Sequence, residues 1–119
     1  MIILVVEDNP LNLELVTDLL EMSGHTVIPA DSGEVALEIA GRQALDLILM
    51  DVSLPGKDGL TITAELKAEP KTRHIPVIAV TAHSMAKDRE RIVAAGCDGY
   101  VTKPIDAQTF ASEIEKFKK

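Results

Sequence analysis

The sequence predicts an α/β domain in which helices cover both faces of a five-stranded parallel sheet. Apolar runs of strand length alternate five times with amphipathic stretches of helical length along the 119 residues. Parallel strands need crossover connections, and a helix after each strand supplies them. Hydrophobic residues make up 46% of the chain and aromatic residues only 3%, so the core must be built from Leu, Ile, Val and Ala. No linker or repeat interrupts this order, and residues 1–119 are predicted to form one domain.

The strands are predicted from short runs that are rich in branched residues and bounded by glycine, proline or acidic residues. These runs cover residues 2–6, 26–30, 45–50, 77–80 and 100–101. The third run is interrupted by Asp46. Such near-continuous apolar runs are typical of strands that are buried on both faces.

The first two helices are predicted from apolar periodicity and from capping residues. The first helix ends at Gly24, and its apolar face consists of Leu11, Leu15, Leu19 and Met22. Asp31 and Ser32 are candidate caps for the second helix, whose apolar residues include Leu37 and Ala40.

The remaining three helices have equally clear boundaries. The third begins near Gly59 and ends before Pro70, and the fourth covers roughly residues 85–95 and ends at Gly96. The fifth is predicted to be capped by Asp106, and its apolar face consists of Phe110, Ile114 and Phe117. The fourth helix has a narrow apolar face, so much of it must face solvent or a partner.

Charge and cysteine content exclude several classes of function. A formal net charge of −7 opposes non-specific binding to nucleic acid or to anionic membranes, so neither contact is predicted. The apolar opening, residues 1–6, is too short to insert into a membrane, and a cytoplasmic location is expected by default. Cys97 is the one cysteine, which rules out a disulfide within the chain, and it is expected to fill space in the interior.

Polar side chains follow four of the predicted strands, at the edge of the sheet where the strands have their carboxyl ends. Glu7 and Asp8 follow the first strand, Asp51 the third, Thr81 the fourth and Lys103 the fifth. In open α/β sheets, ligands bind outside the carboxyl ends of the strands. We therefore expect three carboxylates, one hydroxyl and one ammonium group to converge at a binding site.

Three neighbouring carboxylates repel one another, and a bound cation would relieve that repulsion. Mg²⁺ suits the site because it prefers one or two carboxylates, keeps several waters and bridges to phosphate oxygens. We expect Asp8 and Asp51 to be direct ligands and Glu7 to be a ligand through water. The backbone carbonyl of Ser53 is the further expected ligand.

Asp51 is the predicted nucleophile and phosphoacceptor, because a carboxylate that attacks phosphorus forms an acyl phosphate. Lys103 would neutralise charge on the transferring oxygens, and Thr81 would donate a hydrogen bond to one of them. Taken singly, each residue has a simpler explanation as a helix cap, a turn former or a surface charge. Their joint placement at the ends of the strands favours the functional interpretation.

Five ordered segments carry a resemblance to a known family over essentially the whole chain. They are VVEDN at residues 5–9, DLILMD at 46–51, LPGKDG at 54–59, IPVIAVTA at 75–82 and AGCDGYVTKP at 95–104. With these segments the chain resembles the receiver domain of two-component response regulators. The resemblance implies a flavodoxin-like (βα)5 fold with the strand order 2-1-3-4-5.

The resemblance also implies a switch mechanism. Asp51 would receive its phosphoryl group from a phosphohistidine on a histidine kinase or a histidine phosphotransfer protein. Thr81 and Tyr100 would form the switch pair, in which the hydroxyl turns toward the phosphoryl oxygens and the ring moves inward. Without the family, Tyr100 is simply a half-buried ring with a solvated hydroxyl. The expected output is a downstream protein that binds the face formed by the fourth helix, the fifth strand and the fifth helix.

Three further roles follow from the resemblance. The Lys103–Pro104 bond is expected to be cis and to direct the ammonium group into the pocket. Ser53 and His83 are expected to tune the lifetime of the phosphoryl group, although His83 could equally be an exposed loop histidine. The domain would catalyse its own phosphorylation and slow dephosphorylation without being a turnover enzyme.

Three alternatives from other classes are weaker. A phosphatase of the haloacid dehalogenase type needs a second aspartate two residues after the nucleophile, where this chain has Ser53. A flavin-binding module needs a phosphate loop after the first strand, where the acidic Glu7 and Asp8 would repel phosphate. A phosphorylation-independent interaction module predicts that Asp51→Asn leaves partner binding unchanged.

Overall fold

The computed structural model describes residues 1–54, 58–82, 86–103 and 105–117, and within them the predicted parallel sheet is confirmed. The sheet has the strand order β2-β1-β3-β4-β5, and each neighbouring pair is parallel. Its strands are β1 (Ile2–Val6), β2 (Thr26–Ala30), β3 (Leu47–Asp51), β4 (Val77–Thr81) and β5 (Gly99–Thr102).

A helix follows each strand, as the alternating pattern predicts. The helices are α1 (Pro10–Met22), α2 (Gly33–Arg42), α3 (Gly59–Ala68), α4 (Ala86–Ala94) and α5 (Phe110–Glu115). The predicted start of α4 at Met85 lies outside the described residues. In the described part of the chain, no helix is long and apolar enough to span a bilayer.

Side-chain caps fix the starts of the first three helices. Asn9 accepts hydrogen bonds from the N–H groups of Leu11 and Asn12, and it thereby starts α1 directly after Glu7 and Asp8. Ser32 caps α2, and Asp58 caps α3 by accepting a hydrogen bond from Thr61. All three caps lie at the carboxyl edge of the sheet, and those at Asn9 and Asp58 also set how the chain leaves β1 and enters α3.

The core lies on both faces of the sheet. Strand β3 is buried along its whole length, because it lies in the centre of the sheet with helices on each side. One face packs against α2 and α3, through residues such as Ile48, Met50 and Ile62. The other packs against α1 and α5, where Phe110 and Ile114 are fully buried as predicted.

The predicted apolar face of α1 is wrong. Leu11, Leu15 and Met22 are 76%, 44% and 84% exposed, and together they form an exposed line that we call the apolar stripe. Val16 and Leu20 are buried instead. The side of α1 that carries Val16 and Leu20 packs against the sheet, and Leu13 and Leu19 are partly buried beside them. The apolar stripe therefore faces outward.

Two predicted boundaries also shift. Asp46 lies before β3 rather than in it, and its carboxylate accepts a hydrogen bond from the N–H of Ile2. The predicted cap of α5 at Asp106 is wrong, because the helix begins at Phe110. Asp106 instead holds the preceding turn together, since its side chain accepts from Gln108 N–H and its carbonyl accepts from Phe110 N–H.

Candidate functional site

Three carboxylates converge at the carboxyl edge of the sheet. Oxygen atoms of Glu7, Asp8 and Asp51 all lie within 4.8 Å of one another, in a group that we call the acidic pocket. Because β1 and β3 are neighbouring strands, the residues that follow β1 meet the residue that ends β3. Glu7 and Asp51 are 5% and 3% exposed, whereas Asp8 is exposed to solvent.

Lys103 supplies positive charge to the acidic pocket. Its Nζ lies 3.2 Å from Asp51 Oδ1 and 3.8 Å from Glu7 Oε2. The residue follows β5, two strands away from Asp51, and its backbone N–H donates to the carbonyl of Thr81 at 2.7 Å. Lys103 thus contacts two of the three carboxylates, and the pocket, with one ammonium group for three carboxylates, has a local excess of negative charge.

The pKa of Glu7 reflects both its burial and this excess of negative charge. Burial, a hydrogen bond with Asp51 and the charge of Asp51 raise the pKa of Glu7 from 4.5 to about 7. The N–H of Asn9, which lies 3.2 Å from Glu7 Oε1, and the ammonium of Lys103 oppose this rise in pKa. The oxygen-only donor set suits a hard divalent cation, and such a cation would favour the ionised form of Glu7.

The backbone around Asp51 is tightly held. Ser53 N–H donates to Asp51 Oδ1 at 3.0 Å, so one carboxylate oxygen is oriented both by this amide and by Lys103. Gly59, the first residue of α3, packs against the peptide group of Asp51: a Cβ at Gly59 would lie 2.9 Å from the Asp51 carbonyl carbon. Sequence reasoning used Gly59 only as a helix start and missed this contact. Its signal was a glycine directly after a capping aspartate.

Thr81 lies at the same edge, and Tyr100 lies further along β5. Thr81 ends β4, is 3% exposed, and stands one position beyond Val80, which pairs with Asp51. Tyr100 is 37% exposed and lines a cleft of about 290 Å³ between β5 and α5. The structure thus brings Glu7, Asp8, Asp51, Thr81 and Lys103 to one edge. His83 and Pro104 lie outside the described residues.

A second cleft, of about 410 Å³, opens beside the acidic pocket. We call it the side cleft, and its lining residues are Glu7, Asn12, Leu15, Ala82, Lys103 and Ile105. Its walls are mostly apolar, and it shares Glu7 and Lys103 with the acidic pocket. Because Leu15 also belongs to the apolar stripe, the side cleft connects that stripe with the acidic pocket.

This sheet order, with carboxylates, a threonine and a lysine at its carboxyl edge, defines an α/β signalling domain of the receiver class. Residues 3–115 match the response regulator receiver domain. The chain therefore belongs to the receiver domain family of two-component response regulators, and its function is that of a phosphorylation-activated signalling switch.

Known proteins agree with this assignment. The chain is 47% identical to the polar-differentiation response regulator DivK of Brucella ovis over 115 residues, which cover 97% of this chain and 94% of that protein. The receiver domain of a sensor histidine kinase from Pseudomonas aeruginosa PAO1 is 36% identical, with a TM-score of 0.89 and coverage of 98% and 95%. In that crystal structure a magnesium ion is coordinated in the active-site cleft.

A more distant structure supports the fold alone. The chemotaxis response regulator CheY4 of Vibrio cholerae has a TM-score of 0.92 at 22% identity, and the alignment covers 98% of this chain and 97% of that one. The predicted receiver fold and strand order are thereby confirmed.

Proposed function

We propose that Asp51 is the phosphoacceptor and that its phosphodonor is a phosphohistidine on a histidine kinase or a histidine phosphotransfer protein. The observation that carries this proposal is the convergence of three carboxylates around Asp51, with the Lys103 ammonium 3.2 Å from its Oδ1. A carboxylate oxygen of Asp51 attacks phosphorus, the phosphorus–nitrogen bond breaks, and the donor imidazole leaves with the bonding electron pair. The product is an acyl phosphate on Asp51.

Mg²⁺ is the cation that we propose for the acidic pocket. Asp8 and Asp51 would bind it directly, Glu7 through a water, and Ser53 through its backbone carbonyl. When bound, Mg²⁺ would offset the charge that builds up on the transferring oxygens. Lys103 adds its own charge to the same oxygens, while Ser53 N–H holds Asp51 Oδ1 in place.

Phosphorylation would then act on a switch pair. The phosphoryl group carries about two negative charges at neutral pH, and Thr81 and Lys103 stand at the edge where these charges appear. Thr81 would turn its hydroxyl toward a phosphoryl oxygen, and the ring of Tyr100 would move inward from its present position, which is 37% exposed. Partners that bind the face formed by α4, β5 and α5 would sense this change. That face also exposes Val93, which is 71% accessible.

The phosphodonor would approach over the apolar stripe. Leu11 and Leu15 form the part of the apolar stripe next to the acidic pocket, and the side cleft leads from Leu15 to Lys103. Exposed leucines of this kind on a helix are suited to packing against another protein. A helix that carries the donor histidine could therefore lie on α1 with its imidazole in the side cleft.

The site favours a switch over an enzyme that turns over external phosphate esters. Ser53 stands where a phosphatase of the haloacid dehalogenase type would carry its general acid, and a serine hydroxyl cannot perform that role at neutral pH. We propose that Ser53, with His83 in the undescribed segment, instead affects how quickly water reaches the acyl phosphate.

The test is phosphorylation by acetyl phosphate, followed on a phosphate-affinity gel with and without Mg²⁺. The wild-type chain should give a shifted, acid-stable and base-labile species that needs Mg²⁺, and Asp51→Asn should give none. Glu14→Gln, on the exposed side of α1, is a control that should be labelled normally. Labelling that persists in Asp51→Asn would refute the assignment of the phosphoacceptor.

A further inference from the structure

Thr63 is a buried polar residue that the proposed phosphorylation chemistry does not use. It lies in α3 and is 0% exposed. A buried hydroxyl destabilises a fold unless it is hydrogen-bonded. Thr63 Oγ1 donates to the carbonyl oxygen of Gly59, four residues earlier, at 2.8 Å. The hydroxyl is therefore committed to the first turn of α3.

That first turn is the part of α3 that contacts the backbone of the phosphoacceptor. Gly59 lies so close to Asp51 that a Cβ would stand 2.9 Å from the Asp51 carbonyl carbon. The N–H of Gly59 also donates to the carbonyl of Val52, the next residue after Asp51, at 3.2 Å. A displacement of the Gly59 peptide would therefore be transmitted to the backbone of Asp51 and Val52.

The same backbone sets the direction of the Asp51 carboxylate. Ser53 N–H holds Asp51 Oδ1 at 3.0 Å, and Ser53 lies directly after the peptide that Gly59 binds. Rotation of this short segment would move the Ser53 amide away from the carboxylate. The Ser53 carbonyl, a proposed ligand of the cation, would move with it.

We propose that Thr63 is a positioning residue for the phosphoacceptor, and that its hydroxyl keeps the first turn of α3 seated against Asp51. The proposal rests on the proposed function, in which Asp51 accepts the phosphoryl group. Thr63 touches neither donor nor cation, so its effect is on the orientation of Asp51 and Ser53. Small misplacements of reacting groups have large kinetic effects, and a shift of about 1 Å can lower a rate by about a hundredfold.

The chain offers a matched control in Thr72. It is also a buried threonine, 3% exposed, and its Oγ1 donates to the carbonyl of Leu66 at 2.7 Å. That bond lies at the opposite end of α3 from Gly59. Thr63→Val and Thr72→Val therefore each replace a buried hydroxyl by a methyl group and remove one short hydrogen bond to a carbonyl; Thr72 also loses a longer one, of 3.4 Å, to the carbonyl of Glu69. Thr63→Ser keeps the hydroxyl.

The experiment measures the rate of phosphorylation by acetyl phosphate at saturating Mg²⁺, together with the thermal midpoint of each variant. Thr63→Val should be about three- to tenfold slower than wild type, whereas Thr72→Val and Thr63→Ser should stay within about twofold. Both valine variants should melt at lower temperature. In a nitrogen-15 correlation spectrum, the Ser53 amide should shift in Thr63→Val and stay in place in Thr72→Val.

Equal rates for the two valine variants would overturn the proposal, because loss of stability alone would then explain both. Thr63→Ser that is as slow as Thr63→Val would overturn it as well. If Thr63→Val does not fold, the pair Thr63→Ala and Thr63→Ser makes the same comparison of hydroxyl against no hydroxyl. A wild-type chain that takes no label, or equal labelling of Asp51→Asn, would identify a failure of the proposed function instead.

Discussion

The protonation of Glu7 should make Mg²⁺ binding depend on pH. With a pKa of about 7, Glu7 is protonated in about half of the metal-free molecules at pH 7. A bound cation favours the ionised carboxylate, so binding releases this proton. The apparent affinity for Mg²⁺ should therefore fall about tenfold between pH 7.5 and pH 6, and by roughly a further tenfold at pH 5.

The raised pKa of Glu7 also makes the free energy of unfolding depend on pH. Below pH 4.5 Glu7 is protonated in both the folded and the unfolded state, and it makes no pH-dependent contribution. Between pH 4.5 and 7 the unfolded state loses its proton first, so the free energy of unfolding of the metal-free protein decreases as pH rises. The loss builds up over this pH range and reaches roughly 3 kcal/mol above pH 7. Mg²⁺ should restore it.

Calorimetric titration of Mg²⁺ in two buffers with different ionisation enthalpies counts the released protons. Wild type should release about half a proton at pH 7 and nearly one at pH 5.5, because Glu7 titrates near 7. Glu7→Gln should abolish this release and should melt higher than wild type when both are metal-free at pH 8. The exposed Glu14→Gln should behave as wild type. Proton release that is unchanged in Glu7→Gln would refute this account of the acidic pocket.

Three other substitutions test separate parts of the structure. Leu15→Ser should slow phosphoryl transfer from a phosphorylated histidine phosphotransfer domain and leave labelling by acetyl phosphate unchanged, since Leu15 is 44% exposed and borders the side cleft. Equal slowing with both donors would argue against docking on the apolar stripe. Lys103→Ala should still bind Mg²⁺ in calorimetry but should lose the phosphorylation-dependent change in partner binding. If phosphorylation changed partner binding as in wild type, the proposed role of Lys103 would be excluded. Phe110→Ala should lower the free energy of unfolding by about 3–5 kcal/mol in urea titrations, because Phe110 is 0% exposed. A loss below about 1 kcal/mol would contradict its place in the core.

The position of the site could be predicted from the sequence because a parallel sheet brings the ends of its strands to one edge. Once β1 and β3 are neighbours, Glu7 and Asp8 must lie near Asp51, whatever their rotamers. The same reasoning places Thr81 at this edge. The neighbour relation itself came from a family resemblance, because strand order is not encoded in the length or composition of the runs.

The orientation of α1 could not be predicted from periodicity. Leu11, Leu15 and Met22 satisfy the helical spacing as well as Val16 and Leu20 do, and the helix is apolar on more than one side. Which side meets the sheet depends on the contacts with β2 and α5, which no local pattern contains. Periodicity identifies the buried face of a helix only when its other faces are polar. Helix α1 has apolar residues on its exposed side as well, so it does not meet this condition.

The close packing around Asp51 could not be predicted from the sequence either. A glycine at the start of a helix is usually interpreted as a cap or a turn residue. The sequence does not distinguish that role from the one that Gly59 has, where a Cβ would collide with the peptide group of Asp51. The buried hydrogen bond of Thr63 could not be predicted for a related reason, because a threonine within an amphipathic helix gives no sign of whether its hydroxyl is buried. The Gly59 contact joins the start of α3 to the end of β3, and the Thr63 hydrogen bond lies within α3, so the hydrophobic pattern of the sequence indicates neither of them.

A count of formal charges shows why such a site can act as a switch. With all three carboxylates ionised, as a bound cation would favour, the ammonium of Lys103 leaves two negative charges, which a divalent cation would cancel. Phosphorylation at the proposed acceptor would turn the Asp51 carboxylate into a neutral acyl group and would add about two negative charges on the phosphoryl oxygens. The net change would therefore be about one negative charge, and the charge would lie on the phosphoryl oxygens rather than on the Asp51 carboxylate. Because the total would change so little, we expect the fold to tolerate both states. Because the charge would move, the proposed switch groups on β4 and next to β5 would be able to respond to it.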